Sequence, residues 1–134
     1  MKPPLKKSVR SLGLFLFILG VLAVDGMAHE WMAPKEAADV KNPVVMDVES
    51  SSRGKEVYLE NCVACHGDTI EGLSAESVGL ETSPPNLKKR IKTHSDGDFF
   101  WKIQEGRGDM PAFKEDLSEE ETWDVINYIR SETE

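Results

Sequence analysis

Cysteine is scarce in this chain of 134 residues: there are two, beside three histidines, too few for an all-protein cluster of several metals. Aromatic residues make up 7% and the wider hydrophobic set 40%, so the length supports one ordinary domain with a modest core and excludes a multidomain enzyme. Long apolar runs are lacking too. The longest, Leu12 to Val24, has 13 residues, well short of the roughly 20 that a membrane-spanning helix needs. Basic residues are outnumbered 16 to 24 by acidic ones, which speaks against nucleic acid and anionic lipid as partners, because phosphates want Lys and Arg.

The short apolar run has another use. Lys2, Lys6, Lys7 and Arg10 precede it, Asp25 ends it, and Gly26-Met27-Ala28 offers small residues at the positions a signal peptidase reads. Residues 1–28 therefore read as a secretory signal cut after Ala28, with Ala23 as the nearest competing site and an uncleaved anchor as the competing interpretation. Cleavage at Ala28 leaves 12 basic against 23 acidic residues, a formal charge of −11. The mature protein is expected to be periplasmic, with no stable membrane span, and its acidity favours partners with a basic docking face.

Both cysteines fall in Cys62-Val63-Ala64-Cys65-His66. Cys-x-x-Cys-His is the attachment signature of a c-type haem: the two thiols add to the porphyrin vinyl groups and the following imidazole meets the iron. Residues three apart on a helix share a face, so Cys62 and Cys65 project together. A thioredoxin-like redox pair would need a βαβ pattern, which is lacking, and a zinc site would need two further convincing ligands. A structural disulfide is the third alternative. Export agrees with haem, whose attachment machinery acts outside the bacterial cytoplasm.

The rest of the mature chain reads as helices without strands. Residues 29–50, with Pro34 and Pro43, have no sustained period and read as an extended lead-in or linker, draped over the domain through Trp31 or left as a tether. Ser52 can cap a helix through about Ala64, in which Gly54 is unfavourable unless a second helix comes close there. Ser95 opens a second helix through Phe99, Phe100 and Trp101. Ser118 and Glu121 form a capping box for a third, with Val125, Ile126, Tyr128 and Ile129 on its apolar face. The stretch 67–94 is long for a loop in so small a domain and makes sense if it wraps a cofactor.

An iron held by His66 needs a sixth ligand or an open position. Met110, in Gly108-Asp109-Met110-Pro111-Ala112-Phe113, is poor core material in a polar Gly-Pro turn and is the leading candidate. His94 is the rival, and Met32, Met46 and His29 are remoter.

These residues resemble the class I c-type cytochromes, small monohaem electron carriers, over about residues 51 to 131. Gly54, Tyr58, Cys62, Cys65 and His66 have the spacing of that family's N-terminal helix. Pro84-Pro85-Asn86-Leu87 is similar to its proximal proline segment, and Met110-Pro111 to its axial methionine. The resemblance implies an all-α cytochrome c fold of three to five short helices around one covalent haem c, occupying residues 51–134, with N- and C-terminal helices crossing near Gly54 and Tyr128. It implies that Cys62 and Cys65 carry the thioethers, that His66 and Met110 hold the iron, and that the Pro85 carbonyl orients the His66 ring. Trp101 and Arg107 are weaker carry-overs, as a wall of the haem pocket and a propionate partner. The function implied is one-electron transfer between larger redox proteins, not catalysis. The alternatives are a subunit of an oxidase or dehydrogenase complex and, further off, a haem enzyme or peroxide- or gas-reactive protein with a displaceable Met110.

Overall fold

The computed structural model describes residues 31–133. The signal expected at 1–28, its cleavage site and His29 lie outside the described residues. Seven α-helical segments follow in order, and no strand occurs among the described residues: α1 (Lys35–Ala38), α2 (Val48–Asn61), α3 (Val63–His66), α4 (Ala75–Val78), α5 (Leu87–Arg90), α6 (Asp96–Glu105) and α7 (Glu119–Ser131). Four of the seven are four-residue turns, which takes the count beyond the expected five. The class is all-α, and α2, α6 and α7 are the three helices foreseen.

α2 starts at Val48, five residues ahead of the start at Arg53 that a Ser52 cap predicts. Asp47 is the cap, its carboxylate accepting the Ser50 N–H at 2.8 Å. The first turn has no apolar period of its own; it is held by tertiary bonds from Ser50 and Arg53. α6 and α7 start where their Ser caps predict, and at α7 the reciprocal box between Ser118 and Glu121 is complete.

Eight consecutive residues of α7, Thr122 to Ile129, are buried, so this helix lies inside the molecule and shows no single apolar stripe. α2 crosses it at Gly54, where an added Cβ would stand 1.9 Å from the Asp124 carbonyl oxygen and 2.8 Å from the Val125 nitrogen. That closeness is the reason for a glycine inside a helix, where it otherwise costs about 1 kcal/mol. One helical turn along, Tyr58 meets Tyr128 edge to face at 5.4 Å. α6 covers another side, with Phe100 stacked on Trp123 at 4.1 Å. The polar side chains that α7 buries find partners. Asp124 accepts from Ser50 Oγ at 2.5 Å and from Arg53 Nε at 2.7 Å, and Gln104 donates to Thr122 Oγ1 at 2.7 Å.

Residues 31–46 are packed onto the domain and are no free tether. α1 lies on α6, and Asn42 donates to Asn127 Oδ1 at 2.9 Å and to the Trp123 carbonyl at 3.3 Å. This closes the remaining side of α7.

Gly54→Ala is expected to destabilise the haem-loaded protein by about 3 kcal/mol, because the obstacle is backbone that cannot swing aside. Urea unfolding measures it. A midpoint equal to that of the unaltered protein would mean that the helices separate at no cost.

Candidate functional site

α2 ends at Asn61, and after a one-residue irregularity at Cys62 the chain resumes as α3, so both cysteines and His66 emerge at the end of the helix pinned by Gly54. The turn that follows is specified closely. Gly67 has φ +73°, and its carbonyl accepts the hydroxyl of the fully buried Tyr58 at 2.8 Å. The carbonyls of Cys65 and His66 accept from Leu73 and Gly72 at 3.0 and 2.9 Å. Ile70, also fully buried, takes φ +62°, which is strained for a β-branched residue; its carbonyl accepts the Leu87 N–H at 2.9 Å. Gly72 lets the proline segment in, since a Cβ there would stand 2.1 Å from the Pro84 carbonyl oxygen.

The elements enclose a cavity of about 730 Å3. Cys62, Cys65 and His66 line it, as do Val125 and Ile129 of α7, Phe99 and Ile103 of α6, and the wrapping loop through Leu80, Pro84, Pro85 and Leu87. Met110 lines it from a tight turn in which Arg107 and Met110 exchange both backbone bonds, at 2.9 and 3.1 Å. Gly106 and Gly108 supply that turn with φ of +63° and +58°, and Phe113 ties it to Ile103 at 3.0 Å.

Cys62 and Cys65 form no disulfide with each other. Burial, with a smaller contribution from Cys65, pushes the Cys62 thiol up to about 12, the opposite of the lowered value that a thioredoxin-like nucleophile requires. No group of three His, Cys, Asp or Glu side chains that could hold a metal ion occurs among the described residues, so the zinc reading finds no ligand set. His66 is pulled below its usual value by burial, against an upward pull from the Pro85 carbonyl. Its Nδ1 is buried and makes no full hydrogen bond among the described residues. A buried imidazole with one nitrogen facing a carbonyl, beside two thiols in an apolar cavity, fits a covalent haem.

The comparisons with known proteins agree. The family described as "Cytochrome C oxidase, cbb3-type, subunit III" matches residues 49–129. The chain belongs to that family of class I c-type cytochromes. Cytochrome c6 of Euglena gracilis is 31% identical over 81 residues, covering 57% of this chain and 85% of that one. Cytochrome c6 of Gloeothece citriformis (strain PCC 7424) is 26% identical over 137 residues, covering 97% of each. The cbb3-type cytochrome c oxidase subunit CcoP of Azospirillum sp. (strain B510) is 34% identical over 94 residues, 67% of this chain, and the chain spans only 31% of that subunit. Covalently bound haem c is the cofactor of the family and of this cytochrome.

Of the residues singled out in the sequence, Cys62, Cys65, His66, Pro85, Arg107 and Met110 all line the one cavity. Trp101 does not. The tryptophan lining the cavity is Trp31, against whose ring Trp101 stands edge to face at 6.3 Å. Lys102 and Arg90 line it as well and were not foreseen. His94, the rival ligand, is also there, its Nδ1 3.0 Å from the Arg90 carbonyl oxygen and its ring edge to face with Phe99 at 6.2 Å. The i, i+4 pairs Phe99/Ile103 and Val125/Ile129 were readable as apolar faces, though not as faces turned to a cofactor.

Proposed function

We propose that this cytochrome is an exported one-electron carrier in which Cys62 and Cys65 hold haem c through thioether links and His66 and Met110 are the axial ligands. The observation that carries the reading is the convergence of these four side chains on one apolar cavity, with Met110 presented by a turn that two positive-φ glycines and a backbone bond pair hold in shape. Haem c supplies a one-electron couple, which imidazole and thioether ligation places at raised potential. The chain's own part is positional. The Pro85 carbonyl orients His66, Tyr58 fixes the turn behind it, and Val125, Ile129, Phe99 and Ile103 exclude water. Arg107, which lines the cavity, would neutralise a propionate. An iron ligated on both sides has no place for substrate, which supports electron transfer and not catalysis.

Export through residues 1–28, with cleavage after Ala28, belongs to the same reading, as does a haem domain running from about residue 51 to the C-terminus. No helix among the described residues is long and apolar enough to cross a membrane. A second reading, a cytochrome subunit fixed in a larger oxidase, is favoured by the family description and the Azospirillum relative. The packed lead-in offers that reading no loose docking strap. Co-purification separates the two: a carrier runs alone on native sizing, a subunit with its complex.

Met110→Ala is expected to keep the haem, lower the reduction potential and let added imidazole bind the oxidised protein, whereas His94→Ala leaves the ligand set intact. Redox titration and optical spectra of both variants decide it. If His94→Ala changes the spectrum and Met110→Ala does not, His94 is the ligand.

The charge balance supports a partner with a basic docking face, but it is uneven. From Thr82 to Ser95 there is no acidic residue, and Lys88, Lys89, Arg90 and Lys92 fall together there, next to the cavity. If the acidic surface steers docking, the rate with a basic redox partner falls as salt rises, and replacing Lys88, Lys89 and Lys92 by Gln speeds it at low salt. Slowing by those substitutions would move the docking face to the cationic patch and reverse the charge expected of the partner.

A further inference from the structure

Residues 31–33 precede the segment matched by the family, yet Trp31 lines the cavity. What keeps them there is a carboxylate on α6. Asp98 is 0% exposed; its Oδ1 accepts the Ala33 N–H at 2.6 Å, and its Oδ2 lies 2.5 Å from Lys102 Nζ, one turn along the same helix. Taking a carboxylate wholly out of water costs several kcal/mol unless hydrogen bonds and an opposite charge compensate it. One compensating group is the backbone of the lead-in at Ala33, two residues from Trp31, and the other is a lysine that lines the cavity and holds its ammonium 5.7 Å from the Trp31 ring centre.

The usual task of an acid at this position is different. Asp98 stands three residues after the Ser95 cap, where a side chain normally reaches back to the cap N–H, as Glu121 does to Ser118 at 2.8 Å. Asp98 is turned away from that bond and towards the lead-in. The surroundings are shaped for the same contact. Ser95 Oγ donates to the Ala38 carbonyl at 2.6 Å, and a Cβ at Gly97 would stand 2.2 Å from the Ala37 carbonyl oxygen, so only glycine lets the lead-in lie this close. Arg107 Cζ, 5.9 Å from the Trp31 ring, completes the setting of that ring between two cations and Trp101.

We propose that Asp98 is a catch that holds residues 31–33 closed over the haem cavity, and that Trp31 is thereby a wall of the haem pocket which sets how much water reaches the haem. This rests on the haem occupying the cavity. Asp98 is a positioning residue, acting through Trp31, and Lys102 allows its charge to remain in the interior. The lead-in would then belong to the redox site, although it precedes residues 49–129, the part matched by the family.

The test uses the haem-loaded protein and two readouts, the reduction potential and hydrogen exchange of the backbone amides of residues 31–40. Asp98→Asn weakens the catch by removing the ion pair. Ala33→Pro removes the donated N–H and leaves α6 untouched, so it serves if the Asn variant loses its fold. Trp31→Ala removes the wall alone, and Trp31→Phe restores part of it. Ala33→Pro and Asp98→Asn are expected to raise exchange by about tenfold or more through local opening, and Ala33→Pro, which leaves the charges of α6 unaltered, to lower the potential, because water favours the charged ferric state. Trp31→Ala should lower the potential similarly, the Phe variant less, and combining Trp31→Ala with Ala33→Pro should add little. Faster exchange with unchanged potential, or full additivity in the combination, would reduce the catch to a structural contact and overturn the proposal. An unaltered protein without the spectrum of attached haem would instead sink the haem reading beneath it.

Discussion

Where α2 crosses α7 the two backbones touch, leaving no room for even a methyl group between residue 54 and the carbonyl of Asp124. A contact this close fixes the angle and register of both helices, since neither can slide without separating them. The attachment residues sit at the far end of α2 and in α3, two to three turns from that pivot. Val125 and Ile129, which they meet across the cavity, sit on α7 just beyond it. The shape of the cavity therefore follows from a glycine that takes no part in binding.

The same crossing explains why α7 can be buried nearly all round. A helix with Thr122, Asp124 and Asn127 inside would be costly if those groups lacked partners. Each finds one on a different neighbour: Gln104 of α6 for Thr122, Ser50 and Arg53 of α2 for Asp124, Asn42 of the lead-in for Asn127. Arg130, at the end of the helix, pairs with Asp96 and donates to the Ile91 and His94 carbonyls at 3.1 and 3.3 Å, fastening the wrapping loop where it enters α6. The polar residues of α7 thus serve as attachment points for four other parts of the chain.

Much of this could be read from the residues. The haem signature, the capping box of α7, the Ser cap of α6 and the meaning of Gly54 are local or carry a mechanism that leaves few alternatives. The start of α2 was out of reach because its first turn is held by Asp124, 74 residues away from Ser50, and not by any period in its own sequence. α1, α4 and α5 are single turns, too short to show a period at all. Which tryptophan lines the cavity was hidden for a related reason. Trp101 lies in a clear helix and Trp31 in a segment without pattern, which comes to the cavity through contacts distant in sequence such as the bond from Ala33 to Asp98, across 65 residues. The left-handed backbone at Ile70 carries no sequence signal either, since a β-branched residue is the last expected there.

The frame surrounds one cavity, and on the proposed reading His66 and Met110 hold the haem iron there from its two faces. Met110 as the sixth ligand of the iron is the point on which the electron-carrier reading turns. The visible and near-infrared absorption spectrum of the oxidised and reduced protein tests it directly. The account predicts a low-spin haem in both states, with the weak charge-transfer band of methionine sulfur on ferric iron. A high-spin oxidised spectrum would show an open sixth position and contradict the electron-carrier reading.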